Sequence, residues 1–219
     1  MVWFLSNRLG FMPGVCQTND MKIILSLLLV SSLSIANEVC SRTAEVRQAI
    51  EASLQANCDQ ITSEDLKQIS EILIQKVSHL TLKSGDFNGL TKVDTLTLDE
   101  NGIETLPEDI FSGLTSLQDI FLSGNRLKVL PLGLFQNLPT VQMIDLSENQ
   151  ISNLPDHVFF GLTSLNFLNL THNQMIGVSS HVFDSESFQS PGNVYISNGN
   201  LLDEVTKKLL FSQLVLRYH

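Results

Sequence analysis

Apolar positions recur along this chain in one fixed phrase. An apolar residue is followed three positions on by a second, two further by a third, and three further by asparagine. The copies are Val93, Leu96, Leu98 and Asn101; Leu117, Ile120, Leu122 and Asn125; Val141, Ile144, Leu146 and Asn149; Leu165, Leu168, Leu170 and Asn173. Each stands 24 residues after the one before it. The pair two apart predicts a short strand with one face buried. The asparagine after it fits a strand poorly, but its amide can bond the backbone of its own turn and of the neighbouring one. Phe87, Phe111, Phe135, Phe159 and Phe183 keep the same step. Leu106-Pro107, Leu130-Pro131 and Leu154-Pro155 add a proline at that period, which excludes long helices. A unit of this kind cannot bury its leucines alone, so the copies must stack into one continuous core.

Units beginning at Leu90, Leu114, Leu138 and Leu162 each carry L-x-x-L-x-L-x-x-N, with Val or Ile at some leucine positions. Over roughly residues 66–190 the chain resembles the leucine-rich-repeat family on that motif. The resemblance implies an α/β solenoid: a right-handed curved coil of about five repeats with a parallel concave sheet, a helical N-cap and an αβ C-cap. The first coil is degenerate. Counting back one period places Ile72 and Ile74 in the strand and Val77 where asparagine belongs, with Leu82 and Phe87 in their expected columns.

Both ends change character. Residues 37–65 read as a helical cap. Val46, Ile50 and Leu54 make one apolar stripe behind Thr43, which is placed to cap the helix, and Thr62 with Asp65 forms a capping-box pattern. Leu66, Ile69, Ile72 and Leu73 continue the apolar face of that second segment. The run from Cys40 to Ile50, with Cys58 and Leu82-K-S-G-D-F-N-G-Leu90, is similar to the amino-terminal cap of exported bacterial leucine-rich-repeat proteins. The four-cysteine cap of animal extracellular members is missing. Residues 191–219 read as the closing cap: Val194-Tyr195-Ile196 as a strand displaced by two residues from the strict period, a helix over 202–212, and a last strand near Leu214.

Met21-Lys22, an apolar run and Ser34-Ile35-Ala36 have the form of a secretory signal peptide over residues 21–36, and residues 1–20 read as an over-long start or a leader. No apolar stretch reaches the 18 or more residues of a membrane span. The expected setting is secreted or periplasmic. Cys16 lies in the leader, and Cys40 and Cys58, 18 apart in an exported chain, are expected to pair. The whole sequence carries 13 basic and 23 acidic residues, net −10; removing residues 1–36 takes away Arg8, Lys22 and Asp20 and leaves −11. That balance, with no basic stripe, makes a poor nucleic-acid or anionic-membrane binder, and no nucleic-acid partner is expected. The motifs of hydrolases, phosphate loops, dinucleotide sites and zinc sites are missing, and none of the five histidines pairs with another ligand at metal spacing. No cofactor, metal or catalytic activity is expected. Asn169-Leu170-Thr171 is a formal glycosylation sequon, read as chance in a bacterial-looking chain.

Alternation along each strand turns Thr95, Thr97 and Asp99 outward on the inner curve, then Asp119, Phe121 and Ser123, then Met143, Asp145 and Ser147, then Phe167, Asn169 and Thr171. Phe121, Met143 and Phe167 are expected to be neighbours and to anchor a protein partner, with Asn169 beside them and Asp119 and Asp145 steering a cationic group. A cell-wall glycan is the alternative ligand, set back by an inner face without Trp or Tyr. Self-association through the same patch, as in a self-assembling surface protein, is the other.

Overall fold

A computed structural model gives the fold, described here for residues 38–183, 193–196 and 198–203. The signal-peptide reading, Cys16 and the expected closing elements within 204–219 lie outside the described residues. Helix α1 spans Ala44–Leu54 and the single turn α2 spans Ser63–Leu66. Six strands follow: β1 Glu71–Leu73, β2 Thr95–Thr97, β3 Asp119–Phe121, β4 Met143–Asp145, β5 Phe167–Asn169 and β6 Asn193–Tyr195. They form one parallel sheet in chain order. Ile72, Leu96, Ile120, Ile144 and Leu168 align in register, one period apart; Val194 follows after 26 residues, the displacement expected from the sequence. The fold is therefore the expected solenoid of about five turns, with a helical cap at its start.

The strands are short for a backbone reason. Three residues beyond each strand the chain enters the left-handed region, at Lys76, Glu100, Gly124, Glu148 and His172, with φ between 55° and 67°. A strand cannot continue through that conformation, and only glycine adopts it without cost. Position 124 has glycine and the others do not, so His172 is an exposed member of a conformational column. The asparagines follow immediately. Asn149 Oδ1 accepts from Leu127 N at 3.0 Å, while its Nδ2 donates to Leu122 O, Leu146 O and Ser147 O. Asn101, Asn125 and Asn173 also bridge one coil to the previous one. Backbone groups that no strand partner reaches are thereby paired; left alone, each would cost about 1–3 kcal/mol.

The outer wall is a column of phenylalanines. Phe111, Phe135, Phe159 and Phe183 lie stacked with ring centroids 5.7–6.0 Å apart, all buried. With the buried leucines, isoleucines and valines of every coil they make one core running the length of the solenoid.

At the N-terminal end Cys40 and Cys58 form a disulfide, with Cα atoms 5.2 Å apart. Val46 and Ile50 are fully buried, and Thr62 with Asp65 forms the expected capping box. Two expectations fail. Thr43 stands at the N-cap of α1, but its side chain caps nothing. Instead Thr43 N and Oγ1 both donate to the Asp86 carboxylate, at 2.8 and 2.6 Å. A charged acceptor from the first coil thus holds the helix start and ties the cap to the solenoid. Beside it the buried Arg42 donates through Nη2 to Asn88 O. Burial lowers the pKa of that guanidinium, against the pull of Glu38 and Asp86. The second failure is Leu73, which is 55% exposed. Helix α2 stops at Leu66, so a helical stripe cannot extend to residue 73; the strand period governs there and turns Leu73 outward.

Candidate functional site: the concave sheet face

Each of the inner strands β2–β5 buries its middle residue and half-exposes the two flanking ones. The outward residues form two columns. One runs Glu71, Thr95, Asp119, Met143 and Phe167; the other Leu73, Thr97, Phe121, Asp145, Asn169 and Tyr195. Met143 and Phe167 are register partners on adjacent strands, the neighbours expected from the sequence. Phe121 is not in their column. Its partner across the ladder is Asp145, so it stands diagonal to Met143 and two strands, roughly 10 Å, from Phe167's row.

The ring that Phe167 does meet is Tyr195, at a centroid distance of 5.5 Å and a tilt of 48°. Tyr195 is 48% exposed, so the inner face carries a tyrosine after all. The sequence shows the displaced strand, but assigning that strand to the closing cap stops the outward columns short of Tyr195. One more extra residue between β6 and the next turn puts Asn200 27 residues from Asn173 in place of 24, and hides a further rung of the asparagine ladder. Asn200 Oδ1 accepts from Met175 N, and its Nδ2 donates to Leu170 O and Ile196 O, the arrangement Asn173 makes one coil earlier.

The two aspartates differ. Asp145 is occupied: Oδ1 accepts from Ser147 N at 2.9 Å and Ser147 Oγ at 2.6 Å, and Oδ2 accepts from Asn169 Nδ2 at 3.2 Å. Asn169 repeats that turn with Thr171. The Asp119 carboxylate has no hydrogen-bond or ion-pair partner among the described residues. Partial burial, then repulsion from Asp94, raises its pKa. Asp99 is raised too, by burial first and by Asp145 and Glu100, although Ser123 N–H donates to it at 2.7 Å and opposes the shift. The first half of the face therefore carries unneutralised acids and the second half an apolar cluster of Met143, Phe167 and Tyr195.

Other candidates are weaker. His157 and His181 lie on adjacent coils with ring centroids 5.9 Å apart, His181 beside Asp156 at 3.9 Å. Among the described residues no group of three or more His, Cys, Asp or Glu side chains is placed to hold a metal. A shallow hollow of about 540 Å³ separates α1 from β1, lined in part by Ala49, Ala52, Leu54 and Leu73. No helix among the described residues is long and apolar enough to cross a membrane.

Comparison with known proteins agrees with this architecture. A family model described as leucine rich repeat matches residues 67–127 and 122–175. No curated protein matches in sequence. Among solved structures, an internalin from Listeria monocytogenes is 23% identical over 74% of this chain, with a TM-score of 0.58. A leucine-rich-repeat protein of Leptospira interrogans is 23% identical over 71%, with a TM-score of 0.55. Those two likenesses bear on the fold alone. A chain of the Toll–Spatzle complex of Drosophila is 25% identical over 64%, with a TM-score of 0.54. The match spans 45%, 38% and 22% of those chains respectively, less than half of each.

Proposed function

We propose that this leucine-rich-repeat solenoid is a non-catalytic protein-binding module of the periplasm or extracellular space, and that it takes its partner on the concave strand face. The observation that carries the reading is the open cluster of Phe121, Met143, Phe167 and Tyr195 on a sheet whose remaining outward positions are mostly small or polar. Half-exposed aromatic and methionine side chains gathered on one surface are the composition of an interface core. Asp119 and Asn169 sit among them as polar contacts; Asp145 serves by fixing Asn169. Repeat scaffolds of this kind generally bind other proteins, and the Drosophila relative is solved as a complex. The disulfide of the cap and the signal-peptide form of residues 21–36 support export.

The test is affinity capture from the native cell envelope and medium, with wild type, Phe167→Asp and Val129→Asp, an exposed residue outside the sheet, compared by quantitative mass spectrometry. A captured polypeptide that is lost with Phe167→Asp and kept with Val129→Asp supports the reading. Equal capture by all three overturns it. Size-exclusion chromatography of wild type and Phe121→Asp separates self-association: a larger species present only in wild type reassigns the face to a second copy. One observation favours a glycan as the second reading, since Tyr195 and Phe167 lie near the Asn169 amide. Their tilt keeps it second, because a sugar platform wants coplanar rings.

A further inference from the structure

The two halves of the concave face ask for different chemistry from an occupant. On β1 to β3 and their flanks stand Glu71, Asp94, Asp99 and Asp119, the aspartates half-buried and Glu71 exposed. Among the described residues none has a Lys, Arg or His ion-pair partner; the ion pairs are Arg42–Glu38, Lys67–Glu64 and His181–Asp156, all off this face. On β4 to β6 stand Met143, Phe167 and Tyr195, and the single acid there, Asp145, has spent its oxygens on Ser147 and Asn169. The acids without a counter-charge thus gather on β1 to β3, where Leu73 and Phe121 stand among them, while the apolar cluster of β4 to β6 has only the internally bonded Asp145 beside it.

We propose that the occupant is a polypeptide segment that lays Lys or Arg over the acids of β2 and β3 and an apolar side chain against Met143, Phe167 and Tyr195. This rests on the concave-face reading above and adds the partner's chemistry. The spacing follows from the sheet. Asp119 and Phe167 share a column two strands apart, roughly 10 Å at the usual strand separation. An extended chain covers that in about three residues, and the reach of a Lys or Arg side chain widens the range to about two to five. Other occupants fit worse. Nucleic acid and anionic lipid would meet the uncompensated carboxylates. A second copy packed head to tail on the same face would press those carboxylates against the aromatic cluster, desolvating them without a counter-charge. Raised pKa values at Asp99 and Asp119 agree with acids that lack a cation in the free protein.

The probe is a phage-displayed library of random 12-residue peptides, panned on the immobilised full chain. Enriched sequences are expected to carry Lys or Arg two to five residues from an aromatic or large aliphatic residue. A synthesised winner should lose roughly 30-fold in affinity on Phe167→Ala, the scale of an interface anchor. It should lose roughly 2- to 5-fold on Asp119→Asn and on Asp99→Asn, and weaken further as NaCl rises from about 0.05 to 0.5 M. Neutral or acidic winners, or winners indifferent to both Asp→Asn changes, overturn the cationic partner; if Phe167→Ala still weakens them, the concave reading stands. Winners indifferent to Phe167→Ala as well sink both. Failure to enrich any peptide above a bare-surface control also overturns the proposal.

Discussion

The inward columns of this solenoid and its concave columns are built from the same strands, yet they behave oppositely along the chain. Inward, leucine-type residues, asparagine and phenylalanine repeat with almost no variation, and their polar groups are paired within the protein. Outward, residues one position away change from Thr to Asp to Met to Phe across β2 to β5. A stacked fold needs every coil to present the same surface to its neighbours, so constancy marks the structural columns. Nothing in the stacking constrains the outward positions, so a non-random cluster there needs another cause. Differences between the two sets should therefore appear as opposite responses to substitution.

The largest effect is expected in the asparagine ladder. Asn149→Ala removes one acceptor and three donations to buried carbonyls, and should lower stability to urea unfolding by about 3–5 kcal/mol. Met143→Ala, in the strand just before it, should cost less than about 1 kcal/mol because the side chain is half-exposed. Similar losses at the two positions would erase the division between closed and open columns. Next comes the cap. Replacing Cys40 and Cys58 together by serine should cost about 3 kcal/mol, read from the thermal midpoint. Hydrogen exchange should quicken in α1 and β1 and stay unchanged in β4 and β5, since coils couple only to their neighbours. Faster exchange throughout would show that the cap governs the whole stack.

These closed columns were legible in the sequence because a period is a physical constraint written at every turn. Register, buried strand centres and the phenylalanine stack all follow from it, and the cap disulfide follows from the cysteine count of an exported chain. What escaped was local or aperiodic. Assigning the displaced strand β6 to the cap left Tyr195 off the inner face, and Asn200, 27 residues after Asn173, falls off the strict period. Thr43 passed for a helix cap because Asp86, its true partner, lies 43 residues away. Asp145 looked free, although the recurring Asp145-Leu-Ser147 and Asn169-Leu-Thr171 could have signalled side-chain bonds two residues ahead. Asn200 sharpens the point: if it is a rung of the ladder, Asn200→Ala should cost about 1–3 kcal/mol in chemical denaturation. A loss near zero would end the ladder at Asn173.

The smallest effect has the opposite sign and is the most diagnostic. Asp119 has its pKa raised above the reference value of 3.8, mainly by burial and then by Asp94. Below the reference value both folded and unfolded chains hold the proton, and the aspartate has no penalty. As pH rises through the higher folded value, ionisation favours the unfolded chain, and the stability present at low pH is lost. Asp119→Asn never ionises, so the variant should be more stable than wild type at pH 7. The gain should vanish below about pH 4. Solvent screening of this largely open carboxylate limits the gain to about a few tenths of a kcal/mol, visible as roughly 1–2 °C in Tm. The same substitution is expected to weaken a cationic partner. A change that stabilises the free chain while loosening its complex marks a residue retained for contact. A lower Tm at pH 7 would instead assign Asp119 to the structural columns and move the edge of the binding face toward β4.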